Sequence, residues 1–256
     1  MSEVLFEQEG EVAEITINRE ASLNALNENV IELMLEAIHH TMTDEARVLV
    51  IKGAGKKAFV AGADIKPMQG MSSEQAFEFA RKGQLLLNTL EKIPQITIAK
   101  IRGFALGGGC ELVMGCDLSV ASEDAKFGQP EVNLGLIPGF GGTQRLARRV
   151  GLPKALDMLL CGHGRTLSAK EAESSGLISR VVPEAELDDA VNAVIKAVLN
   201  TGPTASSETK RLCRESLEMP LEAGLNSEAA AFALRMESGE ANEGISAFLE
   251  KRRPSF

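Results

Sequence analysis

An α/β body followed by a wholly helical C-terminal third is the fold class that the 256-residue sequence predicts, and three observations predict it. Short apolar segments recur with amphipathic segments between them, so strand, helix, strand repeats along the chain. One short segment, RVLVIK at 47–52, is apolar nearly throughout, as a strand covered on both faces is. From Leu187 onward the apolar spacing is helical without a break. The parts divide into a body of residues 1–190 and a helical region of residues 191–256.

Taken in order, VAEITIN at 12–18 alternates apolar and polar residues in its second half, which predicts a strand with one covered face. Asn24 to Asn29 lead into VIELMLEAIHHTM, where Val30, Leu33, Met34, Ala37 and Ile38 fall at helical spacing. A longer helix is predicted from about Ser73 to Leu90, with Ala76, Phe79, Leu86, Leu87 and Leu90 on one side and Pro94 as its stop. ITIAKI (96–101) and DLSVAS (117–122) read as strands flanking a glycine run and its helix. TQRLARRVG sets Arg148 and Arg149 in a last helical turn, with Gly151 and Pro153 beyond it. SAKEAESSG ends another helix at Gly176, LISRVV (177–182) resumes as a strand, and VNAVIKAVL, SETKRLCRESL, EAAAFALRM and ISAFLEKRR complete the helical third.

Composition narrows the function. With 44% apolar and 25% charged residues the chain is an ordinary globular one, neither disordered nor of a membrane class. No run approaches the roughly 20 apolar residues of a membrane helix. The opening MSEVLFEQEG lacks the basic start and apolar core of a signal peptide, so a cytoplasmic protein is expected. A formal charge of −9 argues against general nucleic-acid binding, which wants a basic surface. Cys110, Cys116, Cys161 and Cys213 show no C-x-x-C spacing and no neighbouring ligand histidines, so buried free thiols are expected rather than a metal site or disulfides. His39 and His40 are adjacent on a helix and cannot face one ligand, and His163 stands alone; none is expected to be catalytic.

ALGGGCELVMG at 105–115 is the stretch that asks for an explanation, because three adjacent glycines forgo packing and cost backbone entropy. It fails as a dinucleotide fingerprint, since the sixth position from Gly107 is Leu112, and GAGKKAF at 53–59 fails as a phosphate loop at Ala58. Bare backbone amides at a helix start suit an oxyanion. They equally suit a tight strand-to-helix turn, and the spacing does not choose between the two. Glu111, in the first helical turn among Leu112, Val113 and Met114, reads as a partly buried acid that is paired, functional or merely complementary to the helix dipole. FVAGADIK (59–66), with Asp64, offers a second source of donor amides, and FGQPEVNLGLIPGFGGTQR (127–145) offers a second acid, Glu131. Two carboxylates and two bare-backbone turns together would form a general acid/base pair facing an oxyanion hole.

AGADI at 61–65, GFALGGGCEL at 103–112 and FGQPEVNLGLIPGFGGTQRL at 127–146, with NREASLNALN near the start and AFLEKRRPSF at the end, closely resemble the crotonase, or enoyl-CoA hydratase/isomerase, superfamily across essentially the whole chain. The resemblance implies a spiral of repeated ββα units carrying the active site, and a C-terminal helical region that forms trimers, usually paired as hexamers. It implies that the thioester carbonyl of an acyl-CoA sits between the backbone N–H groups of Ala63 and Gly108. It assigns catalysis to Glu111 and Glu131, which in hydratases hold one water between them; Glu111 helps remove its proton and Glu131 protonates the α-carbon. Isomerases generally need only the acid matching Glu131, so keeping both favours a hydratase. A double-bond isomerase or another lyase of the family is the alternative within enzymes, and an RNA-binding relative the alternative outside them.

The helix opened by Gly139 resembles the one whose N-terminus points at the thioester. Contacts to substrate and coenzyme A are expected at Lys57, Ala61, Asp64, Ile65, Gly139 and Lys251, with Lys56, Arg252 and Arg253 as further basic candidates for its phosphates. No cofactor is expected, coenzyme A being part of the substrate. Lys100 and Arg102 depart mildly from the family pattern before the glycines.

Overall fold

The structure, a computed structural model, describes residues 2–43 and 45–256. Its chain order is β1 (Val4–Glu9), β2 (Val12–Ile17), α1 (Glu28–Thr43), β3 (Val48–Gly53), β4 (Ala58–Val60), α2 (Ser73–Lys92), β5 (Ile96–Ile101), β6 (Phe104–Leu106), α3 (Gly108–Gly115), β7 (Leu118–Ser122) and β8 (Lys126–Gly128). There follow α4 (Gly142–Val150), α5 (Leu152–Cys161), β9 (Leu167–Ser168), α6 (Ala169–Ser174), β10 (Arg180–Val182), α7 (Leu187–Leu199), α8 (Pro203–Glu215), α9 (Leu221–Met236) and α10 (Gly239–Leu249).

Two sheets account for the strands, ordered β1-β2-β3-β5-β7-β10 and β4-β6-β8-β9. Each turn of chain gives its first strand to the larger sheet, its second to the smaller sheet, and then a helix: β3, β4 and α2, then β5, β6 and α3, then β7, β8 and α4. This is the expected ββα spiral. Strands β2, β3, β5, β7 and β10 pair in parallel, with β1 antiparallel at the edge.

The apolar run of β3 is explained by what covers it. Leu49 and Ile51 face the main core, while Val48 and Val50 face a second cluster with Ile98, Val120, Leu187, Val191 and Val194. Helix α7 crosses residue 190 and closes the outer face of the larger sheet; each such buried branched side chain contributes roughly 1.5–3 kcal/mol before entropy is subtracted. Lys100 and Arg102, unusual in the sequence, reach Asp188 of α7 at 2.5 and 3.1 Å. They tie the start of that helix to β5.

Helix α2 begins where the sequence places it, with a capping box of Ser72 and Gln75, and ends at Lys92 because Ile93 is extended before Pro94. LISRVV is corrected: only Arg180–Val182 form a strand. Leu177 and Ile178 are buried, but their N–H groups return to the carbonyl of Ala172 and wrap the end of α6. Pro153 is not a stop either, since it lies in the first turn of α5. Among the described residues no helix is long and apolar enough to cross a membrane.

Candidate active site

Strands β4, β6 and β8 lie side by side and parallel in the smaller sheet, so the segments leaving their carboxyl ends converge. Those segments are 61–65, the glycine run with α3, and Gln129 to Glu131. All three belong to the motifs singled out in the sequence.

After β4, Leu26 bridges Ala63 in parallel fashion: Leu26 N–H donates to Gly62 O at 2.9 Å, and Asp64 N–H donates to Leu26 O at 2.8 Å. In such a bridge the middle residue's own N–H points to the opposite side. The Ala63 N–H therefore faces away from Leu26, and it meets no protein acceptor among the described residues. On that side lies the glycine run: a Cβ built on Gly107 would sit 3.6 Å from Gly62 Cα.

The three glycines have separate reasons. Gly107 precedes α3 with φ 51° and ψ −122°, a left-handed conformation, and a Cβ there would lie 2.7 Å from Glu131 Oε1. Gly109 lies so close to β4 that any side chain would overlap the Val60 carbonyl. Between them, Gly108 is the first residue of α3, and its N–H has no intrahelical partner and no other protein acceptor among the described residues. Two free amides, from Ala63 and Gly108, thus sit on the turns that leave the neighbouring strands β4 and β6.

Glu111, one turn into α3, is 2% exposed, more deeply buried than its sequence context predicts. Its Oε1 accepts the N–H of Phe140 at 2.9 Å and of Gly142 at 2.6 Å. That leaves Oε2 as the oxygen free to act. Burial first, and the neighbouring Glu131 second, push the Glu111 carboxyl up to about 8, with the two N–H donors pulling the other way. Glu131 opens a short 3-10 turn after β8, and burial lifts it to about 7. With Gln129 oriented to satisfy both groups, its amide donates to both Glu131 oxygens at 3.1 Å. The Gln129 amide also lies against Gly142, beside Glu111 Oε1, so it stands between the two acids. A pair so coupled and so close in affinity holds about one proton near neutrality.

The remaining expected contacts divide. Ala61 N–H is taken by Leu23 O at 3.0 Å and orders the turn. The Asp64 carboxylate is turned to Arg19 at 2.9 Å, which holds it below the usual carboxylate range; Arg19 also reaches Glu3 at 2.6 Å and Ala25 O at 2.6 Å. Asp64 therefore pins the 61–65 turn to the start of the chain. Ile65 is 48% exposed at the rim. Gly139 does not open a helix: α4 begins at Gly142, with Gly141 at φ 109° as its cap, and the helix start is aimed at the Glu111 carboxylate. Lys56 pairs with Glu184 at 3.1 Å and Arg252 with Glu243 at 2.6 Å. Lys57 and Lys251 are exposed and carry no carboxylate partner among the described residues.

Cys110 and Cys116 are buried, as expected, whereas Cys161 and Cys213 are exposed, because both sit on outward faces of their helices. Among the described residues no group of three or more His, Cys, Asp or Glu is placed to hold a metal ion. Gln129, Phe140 and Gly142 are the site residues that sequence reasoning missed. A buried amide two positions before Glu131 was the available signal for the first; the backbone donors carry no side-chain signal at all.

The family profile described as enoyl-CoA hydratase/isomerase matches residues 7–256. The chain is 41% identical over 254 residues to the crotonyl-CoA hydratase of Syntrophomonas wolfei, covering 99% of this chain and 97% of that protein. It is 37% identical over 254 residues to the short-chain-enoyl-CoA hydratase of Clostridium acetobutylicum, with the same coverage. The solved enoyl-CoA hydratase of Bacillus anthracis superposes with a TM-score of 0.94 at 34% identity, over 99% of this chain and 98% of that one.

Proposed function

The chain belongs to the enoyl-CoA hydratase/isomerase family, and from that premise we infer an enoyl-CoA hydratase that adds water reversibly across the 2,3 double bond of a trans-2-enoyl-CoA, giving a 3-hydroxyacyl-CoA. The observation that carries the reading is the buried Glu111 carboxylate coupled to the half-buried Glu131, with two unclaimed backbone amides on the turns beside them.

In hydration, the thioester oxygen accepts from Ala63 N–H and Gly108 N–H, which polarise the enone and stabilise the enolate as charge reaches that oxygen. A water held between the acids attacks the β-carbon while Glu111 Oε2 takes one of its protons. Protonated Glu131 delivers a proton to the α-carbon. The hydroxyl has then gone to one carbon and a proton to the next; once the product leaves, a second water enters between the acids and carries the proton from Glu111 to Glu131, restoring the starting state. Dehydration runs the same steps from the opposite proton placement. The chemistry is addition of water with two proton transfers and no change of cofactor oxidation state, so the proposal calls on no metal or redox group; coenzyme A enters with the substrate, its phosphates meeting Lys57 and Lys251.

Mixing the protein with crotonyl-CoA and following the loss of enone ultraviolet absorbance tests the reading. Rapid loss is expected, and no turnover on short or medium enoyl-CoA esters sinks it. The working placement, Glu111 charged and Glu131 protonated, is the minor tautomer of the one-proton pair, so kcat/KM is expected to fall below about 7, where the pair takes up a second proton, and above about 8, where it gives up its last. A profile flat across both limbs contradicts the one-proton mechanism.

The assembly is part of the same proposal. On α9, Leu221 and Phe232 are 78% and 67% exposed, and at the end of α10 Phe248 and Leu249 are 82% and 74% exposed. Apolar faces of this kind are covered by further copies of the chain in a trimer or a pair of trimers. Sedimentation equilibrium is expected to give three or six chains; a monomer at assay concentration overturns it.

A further inference from the structure

Glu111 is oriented by peptide groups whose far ends are held by another helix. The Gly139–Phe140 peptide donates its N–H to Glu111 Oε1 at 2.9 Å, and its carbonyl accepts from Gln84 Nε2 of α2 at 2.9 Å. The next carbonyl, that of Phe140, accepts from Arg145 Nη1 at 3.0 Å, and Arg145 is gripped by Glu91 of α2 at 2.8 Å. α2 also fixes the Phe140 side chain, whose ring meets Phe79 edge-on at 5.3 Å and fills the space that Gly83 leaves open. So the turn that holds the base is itself clamped by α2.

We propose that Gln84 is a positioning residue for hydration: by donating to the carbonyl of the Gly139–Phe140 peptide it strengthens that peptide's N–H as a donor to Glu111, fixing the carboxylate's direction and favouring its charged form. Hydrogen bonds in series polarise one another, and a peptide group passes that polarisation from its oxygen to its N–H. The proposal rests on the reading of Glu111 as the base. The charged and titratable groups around Glu111 are Glu131 from the turn after β8, Arg145 from α4 and Cys110 on its own helix. Gln84 touches none of the reacting atoms, and its effect passes through one peptide.

Gln84→Met is near in shape, suits a helix and deletes only the donor. On crotonyl-CoA its kcat is expected to fall about five- to thirtyfold, a fraction of what a direct donor is worth, with KM little changed. The alkaline limb of its pH profile moves to higher pH, because a less stabilised Glu111 carboxylate keeps its proton longer. Gln84→Lys, which keeps an N–H donor of comparable reach, recovers most of the loss. In a Glu111→Gln background the Met substitution has no further effect, since the group it positions is gone. A Met variant with unchanged kcat and limb, a Lys variant no better than the Met one, or equal losses with and without Glu111 overturns the proposal. If Glu111→Gln alone keeps wild-type turnover, the assignment of Glu111 fails first, and the proposal with it.

Discussion

Glu111→Gln is expected to give a folded protein that hydrates crotonyl-CoA about 10² to 10⁴ times more slowly. The substitution is clean for a geometric reason. An amide oxygen can still accept the N–H groups of Phe140 and Gly142, so the α3 to α4 contact survives with the amide nitrogen at the position of Oε2. That nitrogen cannot take a proton from water, and the attack on the β-carbon loses its base. A double-bond isomerase adds no water and would largely survive the same change, so near-normal activity would move the assignment to that chemistry. Stability is expected to move the other way. Glu111 rises from 4.5 to about 8 on folding, so the folded protein holds that proton more tightly than the unfolded chain. The acid therefore costs stability as pH climbs between those values, and the cost is complete above the upper one. The Gln variant should unfold at a higher temperature than the parent at alkaline pH, with the gap closing toward pH 4.5. Activity lost and stability gained at one atom is the signature of a group retained for chemistry.

What the sequence made legible follows from the range of the forces involved. Local signals were readable: the Ser72 cap, the two-faced apolar run of β3 and the unbroken helical spacing after Leu187 all act within a few residues. β4 and β6, three residues each, are too short to show periodicity, although they aim the two turns that carry the unclaimed amides. The glycine run showed that bare backbone was needed but not why, because Val60 and Glu131, which forbid side chains there, are brought up by the spiral. The helix start was misplaced at Gly139 since its N–H groups are claimed by an acid 29 residues away, and Gln84 lies 55 residues from the carbonyl it serves. The carboxylates were recognisable as types in motifs. Their partners were set by tertiary contact and left no mark in the spacing.

Gly108→Pro replaces one proposed oxyanion donor by a ring carbon that points where the N–H pointed, and it is expected to lower kcat/KM at least about 10²- to 10³-fold. Backbone N–H groups are ordinarily beyond mutation, but this one lies at the first position of α3, where proline is favoured because its missing N–H has no helical role. Gly108 is not among the residues with positive φ, so the ring's fixed angle fits. The preceding residue, Gly107 at ψ −122°, is already outside the helical region that proline disfavours before itself. The control is Gly108→Ala, which keeps the N–H and adds a Cβ 3.3 Å from the Phe140 ring, a contact that a small ring shift relieves. Charge gathers on the thioester oxygen as the enolate forms, so kcat should fall, and the ring carbon at the donor's position should raise KM as well. Circular dichroism and melting should stay close to those of the Ala variant. If Ala and Pro are equally impaired, crowding against Phe140 explains both and the amide has no special part; if Pro turns over like the parent, the oxygen is held elsewhere and the convergence of β4 and β6 serves packing alone.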